Sequence, residues 1–129
     1  MHRFALACLV TFGALTLRPE AGHAQNLEGS WSGGGNVSMA SGAREYARCR
    51  ARYSRRSNEG YVVSAVCATP SIRAVQTASL RKIADNRFRG TFYNREYGIS
   101  GTIFVIVRGN TQSVRLTSEA GWASLQLSR

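Results

Sequence analysis

The sequence predicts an all-β protein: a small antiparallel up-and-down barrel of about eight strands, held by one disulfide. Three observations carry this. Apolar and polar side chains alternate with a period of two, in segments that recur every 8 to 14 residues, and no stretch sustains a helical period. The links between segments are short and rich in Gly, Asn and Ser, as hairpin turns require. Two cysteines, Cys49 and Cys67, fall at positions that a single hairpin would set face to face.

Taken in chain order, residues 1–24 read as a cleaved signal peptide. Arg3 supplies a positive charge, Phe4 to Leu17 is an uncharged, mostly apolar run, and Gly22-His23-Ala24 offers the small residues a signal peptidase needs. The run is shorter than the ~20 residues of a transmembrane helix. The expected location is therefore exported, periplasmic or secreted. Residues 25–129 form one barrel domain with no linker, repeat or low-complexity tract. Both histidines, His2 and His23, and the third cysteine, Cys8, belong to the leader.

The first strand is expected at 29–39, where Gly33-Gly34-Gly35 lets the chain bend and Trp31 is bulky enough to plug the end that the bend exposes. The second, 44–55, points Glu45, Ala47, Cys49, Ala51 and Tyr53 inward, and Arg44, Tyr46, Arg48, Arg50 and Arg52 outward. The third, 61–69, points Tyr61, Val63, Ala65 and Cys67 inward. A hairpin over residues 57–60 then opposes Cys49 to Cys67 and Tyr53 to Val63, which suits a disulfide across an antiparallel pair. Thr69-Pro70-Ser71 makes a corner. The fourth strand, 72–83, alternates weakly and carries Arg73 and Arg81.

The fifth strand, 87–94, sends Phe88 and Phe92 inward and Arg87, Arg89 and Tyr93 outward. From Ile103 on, the sixth strand, 99–108, is apolar on both faces. Its outer residues Phe104 and Ile106 call either for cover by another segment or for self-association. Strands at 112–117 and 122–128 complete the count.

The opening Gly29-Ser30-Trp31 of an eight-strand meander resembles the Gly-x-Trp start of lipocalins, avidins and the secreted bacterial protease inhibitors built on a similar barrel. Gly29, Trp31 and the strand count carry that resemblance. It implies a small antiparallel barrel with the tryptophan at one end. The chain as a whole also resembles small exported proteins of Gram-negative bacteria.

For function, charge and missing groups are the informative features. Without Arg3, Arg18 and Glu20 of the leader, fifteen bases face six acids, and Lys82 is the only lysine among the fifteen. Such an excess favours acidic partners. In an exported protein these are an anionic glycolipid, a glycan or an acidic protein rather than nucleic acid, and peripheral contact with a membrane surface is compatible with it.

The candidate anion-binding residues are Arg44, Arg48, Arg50, Arg52, Arg87 and Arg89, since arginine grips carboxylate and phosphate with paired hydrogen bonds. The candidate barrel-interior residues are Trp31, Tyr53, Tyr61, Phe88 and Phe92. They would either fill the core or surround a small apolar ligand, as in a lipocalin-like carrier. Inhibition of a secreted hydrolase is a third reading, implied by the resemblance alone.

An enzyme is not expected. With no histidine outside the leader, the ordinary triad and the common zinc site are missing, and a disulfide supplies no thiolate. No cofactor or metal is expected. Of the carboxylates, Glu45 has inward parity and is expected in a buried pairing with an arginine or a tyrosine hydroxyl. Glu96 lies in a turn and is expected to be solvated.

Overall fold

The computed structural model describes residues 13–14 and 26–129. The leader expected at 1–24 lies, but for residues 13–14, outside the described residues. Eight strands follow one another as β1 (Gly29–Met39), β2 (Arg44–Arg55), β3 (Gly60–Ala68), β4 (Arg73–Ala84), β5 (Arg87–Asn94), β6 (Ile99–Arg108), β7 (Thr111–Ser118) and β8 (Gly121–Ser128). Each pairs with its neighbours antiparallel, and β8 returns to β1, closing the barrel. The predicted strands match these bounds to within one residue. The weak alternation of β4 comes from two apolar residues at outward positions, Val75 and Ile83, each about half exposed, and the strand ends in a register shift between Lys82 and Ala84.

Closure requires β1 to run very close to β8. A Cβ on Gly33 would strike the Gln126 carbonyl, and one on Gly35 the Ser124 carbonyl. At both glycines any side chain would force the strands apart, and the same holds for Gly121 of β8 against the Ser38 carbonyl of β1. The turns follow their chemistry: Gly109, first of the two residues joining β6 to β7, has φ +60°, as a type II′ hairpin requires there.

Up-and-down topology sorts the barrel into two ends. One receives the β2–β3, β4–β5 and β6–β7 turns with the segment that precedes β1. The other receives the β1–β2, β3–β4, β5–β6 and β7–β8 turns. The first end is packed solid by Leu27, Trp31, Tyr53, Tyr61 and Phe88, which are nearly or wholly buried. Trp31 meets Tyr53 edge to face at 6.3 Å between ring centres, and Tyr61 meets Phe88 at 5.6 Å. Across the middle, Cys49 and Cys67 are joined directly opposite each other on β2 and β3. Such a bond fits an oxidising, exported compartment.

Outside, β2 alternates strictly, with Arg44, Arg48, Arg50 and Arg52 exposed between buried Ala47, Cys49, Ala51 and Tyr53. Apolar inside and polar outside is the reverse of a lipid-facing barrel. No helix among the described residues is long and apolar enough to cross a membrane. The outer residues of β6, Phe104 and Ile106, are half-buried, and the N-terminal segment expected as cover for them lies almost wholly outside the described residues. Phe104 stands between Arg89 of β5 and Arg115 of β7, and Ile106 between Arg87 and Ser113. Arginine stems, on both sides of Phe104 and on one side of Ile106, are well placed to shield them.

Candidate functional site: the open end of the barrel

The two ends differ because the side chains that point inward differ in size. Towards the second end the inward positions of β2, β3, β4 and β8 carry Ala47, Cys49, Cys67, Ala74 and Ala123, and β6 carries Gly101. Chains this short cannot meet across the lumen. They leave a cup of about 210 Å³ open to solvent. Its wall is continued by Val37, Phe92, Ile99 and Leu116, and the turns add Ile72, Tyr97 and Ala120. No charged side chain lines it. Below it, a second void of about 30 Å³ reaches down towards Tyr53, and Cys67, Gln76, Phe92 and Leu116 border both spaces.

At the mouth stand two half-exposed aromatic residues, Tyr97 of the β5–β6 turn (47% exposed) and Trp122 at the start of β8 (47%). Tyr97 is set by the turn itself, since its backbone N–H donates to the Asn94 side-chain oxygen at 3.0 Å, and Asn94 is buried. The opposite wall is tied by Thr69, whose hydroxyl accepts from Ile72 N–H at 3.1 Å and donates to Ile72 O at 3.4 Å. Glu45 lies beside that corner. It accepts a 2.7 Å hydrogen bond from the Ser71 hydroxyl, and that bond, helped by Thr69, holds its carboxyl below the usual range. The buried pairing with arginine or tyrosine expected for Glu45 is therefore corrected: β2 begins at the barrel rim, where inward parity does not mean burial. Glu96 is exposed.

The five aromatic residues expected inside are divided by this arrangement. Trp31, Tyr53, Tyr61 and Phe88 belong to the packed end, and only Phe92 reaches the cup. The lining residues Tyr97, Trp122 and the inward alanines were not singled out from the sequence. A signal for them exists: inward alanines in β2, β4 and β8 cannot fill a barrel whose other half needs Trp, Tyr and Phe.

The candidate anion-binding arginines are divided as well. β2 and β5 are separated by β3 and β4, so Arg44, Arg48, Arg50 and Arg52 stand on a different side of the barrel from Arg87 and Arg89. Arg73 joins the first group instead, because Ala68 pairs with both Arg48 and Arg73. With Arg50 and Tyr46, these two arginines border a shallow groove floored by Gly34, Val66 and Ala68. Arg89 stands opposite Arg81 and, one strand beyond Phe104, shares its row with Arg115. Among the described residues the one ion pair is Lys82–Asp85, at 4.0 Å, so no arginine of either group has a carboxylate partner.

No family model and no curated protein matches the chain. Solved structures do match it by shape. The redesigned β-barrel mFAP1, bound to DFHBI, superposes with a TM-score of 0.70 at 13% identity, covering 82% of this chain and 97% of that one. A de novo designed fluorescence-activating β-barrel gives 0.64 at 16% identity, covering 82% and 95%. A further redesigned barrel, mFAP0, also bound to DFHBI, gives 0.63 at 13% identity, covering 80% and 98%. The likeness is one of fold. The Gly29-x-Trp31 opening is matched by the architecture it implied, a small antiparallel barrel with a tryptophan closing one end.

Proposed function

We propose that this protein is a non-catalytic binding protein that takes a small, uncharged, largely apolar ligand into the open end of its barrel. The single observation that carries this is the cup. A barrel of eight strands has an interior that side chains can fill, and this sequence fills one half while leaving about 210 Å³ at the other. Apolar walls with few polar groups are what small-molecule sites look like. The volume lies below the ~300–1,000 Å³ of sites for drug-sized molecules, so the occupant is small, or only part of it enters. The absence of charge from the lining excludes an ionised group at depth, which would be stripped of water without a partner. A barrel of the same architecture holds a small ligand in mFAP1, bound to DFHBI. Two features favour binding over catalysis: Cys49 and Cys67 are joined, and the rim carboxylate Glu45 is engaged by Ser71.

Titration with a neutral naphthalene dye tests this. Wild type is expected to bind it, and Ala74→Phe, which places a ring in the cup, is expected to lose at least tenfold in affinity. Equal binding by both would contradict the reading.

A second reading has its own support. Arg48, Arg50 and Arg73 flank one groove without carboxylate partners among the described residues, an arrangement suited to a phosphate or carboxylate of an envelope glycolipid, a glycan or an acidic protein. Retention of the triple Arg→Glu variant on a heparin column would then fall sharply at low salt while the melting temperature stays within a few degrees. Unchanged retention would remove this reading and leave the first intact.

A further inference from the structure

We infer that Gln76 is the residue that orients the ligand, and that the ligand is a small neutral aromatic molecule carrying one hydroxyl or carbonyl group. This rests on the cup being the binding site.

The polar side chains of the lining differ in what remains free on them. The Thr69 hydroxyl is occupied by Ile72. The Ser118 hydroxyl accepts from Ala120 N–H at 3.1 Å and donates to Gly121 O at 3.4 Å. The Asn94 oxygen accepts from Tyr97 N–H. These three hold the turns of the rim, where Ser38 and Tyr97 also carry hydroxyls and the Asn94 amide nitrogen is left without a partner among the described residues. Gln76 holds nothing: it makes no hydrogen bond to any described residue, although it is inward on β4, opposite Ala65. It is partly buried, and it borders both the cup and the void beneath it.

An amide in such a place is satisfied by water when the cup is empty. A ligand that displaces the water must return the hydrogen bond or bind more weakly. That makes Gln76 a discriminator: a hydrocarbon leaves it unpaired, while a hydroxyl or carbonyl restores a bond, because the amide both donates and accepts. Its neutrality matches a lining without charge. The aromatic part of the assignment follows from Phe92, inward on β5, and Tyr97 at the rim, which border one small space and offer aromatic surface to a flat partner.

Three probes of one shape separate the possibilities: naphthalene, 2-naphthol and 2-naphthoate, each titrated by fluorescence into wild type, Gln76→Leu and Gln76→Met, with thermal melts to establish folding. Wild type is expected to prefer 2-naphthol over naphthalene about tenfold and to bind 2-naphthoate weakest. Both variants are expected to lose the preference for 2-naphthol while holding naphthalene at least as well. A preference that survives in the folded variants overturns the role of Gln76. Equal wild-type affinity for naphthol and naphthalene overturns the hydroxyl assignment and leaves the cup standing. No binding of any probe by wild type overturns the cup and this inference with it.

Discussion

The indole N–H of Trp31 donates a 2.8 Å hydrogen bond to the backbone carbonyl of Leu27, and the two side chains, 1% and 0% exposed, together stop one end of the barrel. Residues 26–28 are thereby folded under the strands. The Arg129 guanidinium lies 4.4 Å from the centre of the Trp31 ring, adding the C-terminus to the same seal. Trp31→Ala is expected to cost about 3–5 kcal/mol, as removal of a buried tryptophan does. Trp31→Phe keeps most of the apolar area but removes the donor, and is expected to cost less. Urea midpoints of the two variants check the order.

The disulfide closes a loop across 18 positions of sequence. In the chain-entropy account such a bond contributes ~3 kcal/mol by restricting the unfolded chain. Cys49→Ala/Cys67→Ala is expected to shift the urea midpoint downward by a corresponding amount, and wild type under reductant is expected to shift with it. A melting curve indifferent to reductant would contradict this.

Tyr53 donates a 2.6 Å hydrogen bond to the Gln112 side-chain oxygen, and burial pushes its phenol pKa upward. An unfolded tyrosine ionises near pH 10. The folded barrel holds the proton longer, so the Tyr53 contribution to stability is complete below about pH 10 and declines as pH rises beyond it. Tyr53→Phe is expected to flatten the alkaline part of the stability profile. It is also expected to cost about 1–3 kcal/mol at pH 7, because Gln112 loses a partner while its amide nitrogen already lacks one. Adding Gln112→Leu to that variant is expected to recover part of the loss. Urea midpoints between pH 7 and pH 11 provide the measurement.

The strands were legible because each face of a barrel wall has one neighbour, core or solvent, and a period of two records that directly. The Cys49–Cys67 pairing was legible because register within one hairpin is set by its turn. The grouping of the arginines depends on strand order, which no local pattern contains: Arg73 joins Arg48 across Ala68, while Arg87 and Arg89 fall elsewhere on the wall. Leu27 was not singled out because an apolar residue in a short terminal segment has no period to announce its burial. The cup was missed because a cavity is a sum over the whole ring of strands. Ala47, Ala74 and Ala123 are each unremarkable alone, and only closure of β8 on β1 sets them around one space.

The barrel is held to be packed at one end and a receptor at the other, and residue-resolved NMR titration with 2-naphthol tests this most directly. Chemical-shift changes are expected to concentrate on Val37, Phe92, Ile99, Leu116 and Ala123 of the cup, with Trp31, Tyr61 and Phe88 at the closed end unmoved. Changes centred on the closed end or on the outer face of β2, or none at saturating probe, would contradict it.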